Sequence, residues 1–170
     1  MNIRTIAINA LIATLYFVIS LVVAPFGFLN IQFRISELFN HFIVYNKKFF
    51  GGIILGVFLT NLLISQNKVD IIFGVAHSLL SLTITLLLAR FIKNKVTLML
   101  VNSLVFSFNM YIIAYMLKVY FELPGTFLFL WVTSGISEFI TMLVAIPIIL
   151  FLNKQIPLQS LFKNDQKQAA

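Results

Sequence analysis

The chain has 170 residues, of which 61% are hydrophobic and only 10% charged, against a charged fraction of about 25% in ordinary soluble domains. The bilayer is its solvent, and at about 20 residues per spanning helix the length allows roughly six spans with no room for a catalytic ectodomain or an internal ATPase. Twelve Lys and Arg against five Asp and Glu give a net charge of +7, which in a membrane chain reports orientation before it suggests nucleic acid, and the absence of cysteine excludes a disulfide framework, a thiolate metal site and a thiol nucleophile.

Residues 5–24 are the first apolar run long enough to span. Residues 1–4 before it carry no small-residue cleavage site, so it is expected to be a retained helix. Pro25 and Gly27 are predicted to end it. Ile31, Phe33 and Ile35 then alternate with Gln32, Arg34 and Ser36, a period of two that predicts an extended outer segment. Residues 37–65 are too long for one ordinary span and short for two, with Lys47 and Lys48 in their middle. One helix would hold both lysines at mid-membrane, at about 2.5 to 3.5 kcal/mol each. Two short helices leave them in a surface turn. Further spans are predicted at 71–89, 97–117 and 127–152, separated first by Arg90, Lys93 and Lys95 and then by Glu122, Pro124 and Gly125.

The two-helix reading gives six spans, with Arg4, Lys47, Lys48, Arg90, Lys93, Lys95, Lys154, Lys163 and Lys167 on one side and only Arg34, Lys68 and Lys118 on the other. That asymmetry puts both termini in the cytoplasm. The expected fold is an all-α membrane protein, one six-transmembrane-helix bundle over residues 1–170 with short second and third helices and an extended first outer loop. Residues 154–170 are expected to be a solvated cytoplasmic polar tail. Short helices persist only where neighbours or a water-filled cavity cover their ends, which predicts a cavity on the outer side.

Four of the five carboxylates, Glu37, Asp70, Glu122 and Glu138, fall toward the outer side or within a span. Glu138 is the deepest, and helical spacing places Trp131, Ser134 and Thr141 near its face. Asp70, Gly74, His77 or Ser78, Ser81 and Thr85 form a polar stripe on the fourth helix, and Asn102 and Asn109 stand two turns apart on the fifth. Ser81, Thr85 and Asn109 are read as bonding neighbouring helices, at about 0.6 kcal/mol on average. A carboxylate as deep as Glu138 needs a partner, a proton or a ligand; its structural alternative is a buried pair with Arg34. Arg34, Glu37 and His41, at i, i+3 and i+7, share a face on which an exposed ion pair would be worth little. His41 is read as interfacial filler, and His77 equally as a packing residue or a ligand group. Gly52, Gly56 and Thr60 form a small-residue stripe suited to packing inside the bundle, whereas the stripe of Ala10 and Thr14 suits contact within the bundle or with a second membrane protein.

The chemistry of an intramembrane enzyme is missing. There is no GxSxG, HExxH or phosphate loop, no aspartate pair at metal-ligand spacing, and the two histidines are far apart. Nor does an ion-coupling pair stand on discontinuous helices in two repeated halves. A cavity between helices, lined by a few carboxylates, amides and aromatics, describes a binder.

The run Ile31-Gln32-Phe33-Arg34-Ile35-Ser36-Glu37, then Gly52 to Gly56 with Thr60-Asn61, then Asp70 to Gly74, resembles the QueT family in order and spacing. These are substrate-binding (S) components of energy-coupling factor (ECF) transporters. Ala10 to Thr14 with Tyr16 is similar to the family's first helix, Val101-Asn102 to its fifth, and Ser137-Glu138 to the Gly-Glu of its sixth. Thr14 replaces the second Ala of the family's small-residue contact motif and Ser137 replaces the Gly, and both substitutes are small.

The resemblance implies uptake of a 7-deazaguanine precursor of the tRNA nucleoside queuosine across a bacterial plasma membrane. It also implies partners, a membrane scaffold subunit and two cytoplasmic ATPases that hydrolyse the ATP, with no cofactor, metal or nucleic acid on this chain. A guanine-like edge offers N1–H and N2–H2 donors beside an O6 acceptor. Glu138 or Glu37 would accept from the donors, Asn102, Gln32 or Arg34 would donate to O6, and Phe33 or Trp131 would stack on the ring. Asn61 and Asp70 complete the candidate binding residues, and Ala10 and Thr14 are the candidate docking residues. The alternatives are an S component for another vitamin or purine-like solute, an intramembrane lipid-modifying enzyme, and a structural or regulatory membrane subunit.

Overall fold

The computed structural model describes residues 2–27, 35–65 and 67–162. These form six α-helices, α1 (Ile3–Gly27), α2 (Phe50–Leu63), α3 (Val69–Leu88), α4 (Lys95–Asn109), α5 (Tyr111–Val119) and α6 (Phe127–Gln155), and two 3₁₀ helices, Ile35–Val44 and Lys47–Phe49, between α1 and α2. The all-helical expectation holds among the described residues. Among the described residues four stretches are long and apolar enough to cross a membrane: Ile3–Ala24 of α1, α3, the α4–α5 pair over Lys95–Val119, and α6.

α1 is apolar around most of its circumference, the pattern of a helix whose solvent is lipid. It continues through Pro25 to Gly27, past the expected end, because a proline in the last turn forfeits one backbone hydrogen bond and leaves the rest of the helix intact. The predicted extended segment lies outside the described residues over 31–34. At Ile35 and Ser36 the structure corrects it: both open the 3₁₀ helix. Its side chains explain the winding. Three residues complete a 3₁₀ turn, so Glu37 and Asn40 eclipse, and the Asn40 amide donates to the Glu37 carboxylate. Ten residues is long for this helix type, whose runs seldom pass about four.

The two lysines that decided the span count are exposed in the turn after this helix, where the Asn46 side chain accepts from the Lys48 amide at 3.0 Å. Lys95 Nζ donates to the Val44 carbonyl at 2.6 Å, placing a cation on the orphan carbonyls and negative dipole end of the 3₁₀ helix.

α2 lies against α1 through its glycines. Gly52 N donates to Asn9 Oδ1 at 2.6 Å, and a Cβ on Gly52 would meet the Asn9 carbonyl oxygen at 2.8 Å and its Cα at 3.0 Å. A Cβ on Gly56 would meet Tyr16 Cβ at 2.7 Å. This is the packing expected of the small-residue stripe. Because the obstacle at Gly52 is backbone, Gly52→Ala is expected to push the two helices apart and destabilise the fold by about 1–3 kcal/mol. Thermal unfolding in detergent measures this, and an unchanged midpoint would show that α1 yields freely.

The span predicted at 97–117 is interrupted at Met110, between α4 and α5. Met110 N bonds back to Ser107 O at 3.3 Å, so the Phe106 carbonyl accepts from His77 Nε2 instead, at 3.1 Å. The Phe108 carbonyl accepts from Trp131 Nε1 at 2.8 Å. Side chains from α3 and α6 thus supply the donors that the broken ladder gives up, as a membrane interior requires.

Within the stretch expected as a polar tail, Leu158 and Phe162 are buried. The Phe162 ring meets Phe49 edge-on with centroids 4.7 Å apart, Lys48 Nζ stands 5.8 Å from its centroid, and Asn46 Nδ2 donates to Gln159 O at 3.4 Å. The chain after α6 therefore folds back over the Lys47–Phe49 turn. On the opposite flank of the long 3₁₀ helix, Ile35 and Leu38 line an apolar groove of about 300 Å³ with Ile140, Val144 and Ile148 of α6.

Candidate functional site

α1, the long 3₁₀ helix, α3, α4 and α6 direct polar groups into one buried cluster. Tyr16, Glu37, Asn40, His41, Thr85 and Asn102 are all at most 3% exposed. The Tyr16 phenol donates to Glu37 Oε1 at 2.8 Å, and the Asn40 amide donates to Glu37 Oε2. Asn102 Nδ2 donates to the Asn40 carbonyl and to His41 Nδ1, each at 3.2 Å. Asn102 Oδ1 accepts from Thr85 Oγ1 at 2.6 Å. His41 Nε2 donates to the Met142 carbonyl at 2.9 Å. One neutral tautomer, protonated at Nε2, satisfies both contacts of the ring.

The structure therefore joins Glu37 and Asn102, through Asn40 and His41, and fills both with protein partners. It corrects the reading of His41 as interfacial filler: the residue is 0% exposed because its ring bridges α4 and α6. Glu138 is 3% exposed on the inward side of α6 beside Ser137, one helical turn before Met142.

The other candidates stand apart from this cluster. Asn61 is 4% exposed and presses on Gly74 of α3, where any side chain would collide with its amide. Its Nδ2 has no hydrogen-bond partner among the described residues, and neither has Asn40 Oδ1 or Thr60 Oγ1. Asp70, half-buried in the first turn of α3, accepts from the Ser65 hydroxyl. Trp131 packs edge-on against Phe108 and Tyr111 and at a tilt against Phe127, with centroids 5.4 to 6.3 Å away. Ser81 accepts from Asn109 Nδ2 at 2.9 Å, the interhelical role expected of that pair. Gln32, Phe33 and Arg34 lie outside the described residues. Ala10 and Thr14 are exposed on α1, and the Thr14 hydroxyl donates to the Ala10 carbonyl at 2.9 Å.

Sequence reasoning missed Asn40, and it took Tyr16 only as part of a helix motif. The signal for Asn40 is its distance of three from Glu37, which a 3₁₀ turn makes adjacent. For Tyr16 it is a phenol in a mostly apolar helix, because a buried hydroxyl requires a partner. Among the described residues no three His, Asp or Glu side chains approach closely enough to hold a metal ion.

A family model described as QueT transporter matches residues 6–154, from α1 almost to the end of α6. A protein of Lactococcus lactis subsp. cremoris (strain MG1363) named Queuosine precursor transporter QueT is 30% identical over 160 residues, covering 88% of this chain and 92% of that protein. No solved structure matches the chain. A match this long includes the buried polar cluster, Asn61, Glu138 and the exposed face of α1, and the role it assigns is transport and not catalysis. The chain belongs to the QueT transporter family.

Proposed function

We propose that this protein is the substrate-binding (S) component of an energy-coupling factor importer, a six-pass plasma-membrane protein with both termini in the cytoplasm that captures a 7-deazaguanine precursor of queuosine. The observation that carries the reading is membership of a family whose matched relative is named a queuosine precursor transporter. Six passes follow if the long 3₁₀ helix and α2 each cross. Ten residues at about 2.0 Å and fourteen at about 1.5 Å give roughly 20 Å apiece, short of a hydrocarbon core of about 30 Å. Their polar ends are covered by neighbours, as with Lys95 on Val44. The Lys47–Lys48 turn then joins the cytoplasmic side with Arg4, Arg90, Lys93 and Lys154.

Glu138 is the carboxylate we assign to the N1–H and N2–H2 donors of the solute. Glu37 already accepts from Tyr16 and Asn40, one donor on each oxygen, and we assign it to holding the 3₁₀ helix. Asn102 is equally committed, to Thr85, Asn40 and His41. Asn61, with an amide donor that has no partner among the described residues, is the assigned donor to O6, together with Arg34. The scaffold subunit docks on the exposed stripe of Ala10 and Thr14. The scaffold's two ATPases hydrolyse the ATP, and this chain carries no cofactor.

Calorimetry on the purified protein tests this, with the 7-cyano and 7-aminomethyl forms of 7-deazaguanine and queuine as ligands and guanine and riboflavin as controls. Tight binding of a deazaguanine without ATP or any partner is expected. Binding of riboflavin alone would reassign the solute, and binding of none would remove the substrate-capture role.

A further inference from the structure

Hydrogen bonds around the long 3₁₀ helix form one chain across the bundle. It begins on α1, where Ser20 Oγ donates to Ser36 Oγ at 2.7 Å and Tyr16 donates to Glu37. It continues through Asn40 to Asn102 on α4, and from there to Thr85 on α3. A branch passes through His41 to the backbone of α6. Five elements are thus tied by contacts that water does not reach, since Tyr16, Glu37, Asn40, His41, Thr85 and Asn102 are buried.

The position of Tyr16 gives this chain a direction. Tyr16 and Thr14 are two residues apart, about 200° around the helix, so the buried phenol and the exposed Ala10–Thr14 stripe lie on opposite faces of α1. Anything that shifts or rotates α1 from its exposed face must move the phenol against Glu37. In a dry interior that carboxylate cannot exchange its donor for water, so the 3₁₀ helix either follows α1 or loses the contact. Further along, Asn102 uses every polar atom of its amide on this chain, so a displaced 3₁₀ helix pulls on α3 and α4 together.

We propose that the Tyr16–Glu37–Asn40–Asn102–Thr85 chain, with its His41 branch to the Met142 carbonyl, is the coupling element that carries partner docking on α1 to α3, α4 and α6, the last of which bears Glu138. This rests on the substrate-binding reading above. Tyr16 is a positioning residue here, acting through Glu37 and not on the solute.

Tyr16→Phe removes the phenol oxygen and keeps the ring that packs on Gly56. In the purified full chain, affinity for the best-binding deazaguanine is expected to stay within about threefold of wild type. In proteoliposomes holding the complete transporter, uptake is expected to fall at least tenfold. Unchanged uptake overturns the coupling role, and parallel loss of binding overturns it by placing Tyr16 at the solute.

A second measurement needs no solute. Tyr16→Phe and Thr85→Val, at the two ends of the chain, are compared singly and together by thermal unfolding. Ends of one unit give a combined shift smaller than the sum, whereas additive shifts would reduce the chain to separate local bonds and overturn the proposal. A wild type that binds no deazaguanine and needs no partner overturns the substrate-binding reading and the proposal with it. A working wild type beside an equally working Tyr16→Phe overturns the coupling alone.

Discussion

Glu138→Gln is expected to weaken deazaguanine binding at least tenfold while the protein stays folded in detergent. The substitution keeps the shape of the side chain and changes only what it offers, two carboxylate oxygens becoming one acceptor and one donor. Against the N1–H and N2–H2 donors of a guanine-like edge, the new NH2 group faces another donor. An unmade hydrogen bond at a buried site costs about 1 to 3 kcal/mol, and more where the partner is charged; tenfold corresponds to about 1.4 kcal/mol. Glu138 is 3% exposed, so water cannot enter to soften the loss. Calorimetry gives the affinity and thermal unfolding confirms the fold. Wild-type affinity in the variant would remove Glu138 from the site.

The second large effect concerns the other side of α1. Replacing Ala10 or Thr14 with Leu is expected to abolish uptake and to spare binding by the isolated protein. Both positions are exposed, so a larger apolar side chain there meets lipid and leaves the fold intact. Close helix–helix contact in a membrane, by contrast, depends on small residues that let two backbones approach. The Thr14 hydroxyl is already turned back to the Ala10 carbonyl, which lets this threonine serve as a small residue in such a contact. Uptake in proteoliposomes set beside calorimetry separates the two functions. Surviving uptake would mean that the partner docks elsewhere.

The long apolar helices were legible because their signal is summed over some twenty residues and needs no knowledge of neighbours. Lys47 and Lys48 were equally informative, since two charges in an apolar run admit few placements. A helix from Glu37 onward was legible, but its start at Ile35 and its 3₁₀ winding were not. Ile35 and Ser36 continue the alternation of 31–34, which imitates a strand, and the 3₁₀ winding is held by the Glu37–Asn40 bond together with contacts to Tyr16, Ser20 and Asn102 on distant segments. His41 was misplaced for the same reason: its partner is a backbone carbonyl 101 residues away. The interruption at Met110 has no glycine or proline to announce it and comes from His77 and Trp131 on other helices. Glu138 was singled out from depth alone, and the structure adds that it is buried. The task of Glu37 needed the structure, because only its donors, Tyr16 and Asn40, reveal a carboxylate that holds the 3₁₀ helix.

The 3₁₀ helix also fixes how evolution can edit this stretch. Each residue there turns the chain by about 120° instead of 100°, so the helix has three edges that repeat every three residues. Ile35 and Leu38 share an edge along the groove, and Glu37 and Asn40 share the edge toward α1. Losing or gaining one residue ahead of Glu37 would turn its carboxylate off the Tyr16 phenol and onto another edge. An insertion or deletion next to Glu37 is therefore expected to lower the unfolding midpoint more than a conservative apolar substitution of Ile35 or Leu38 along the groove.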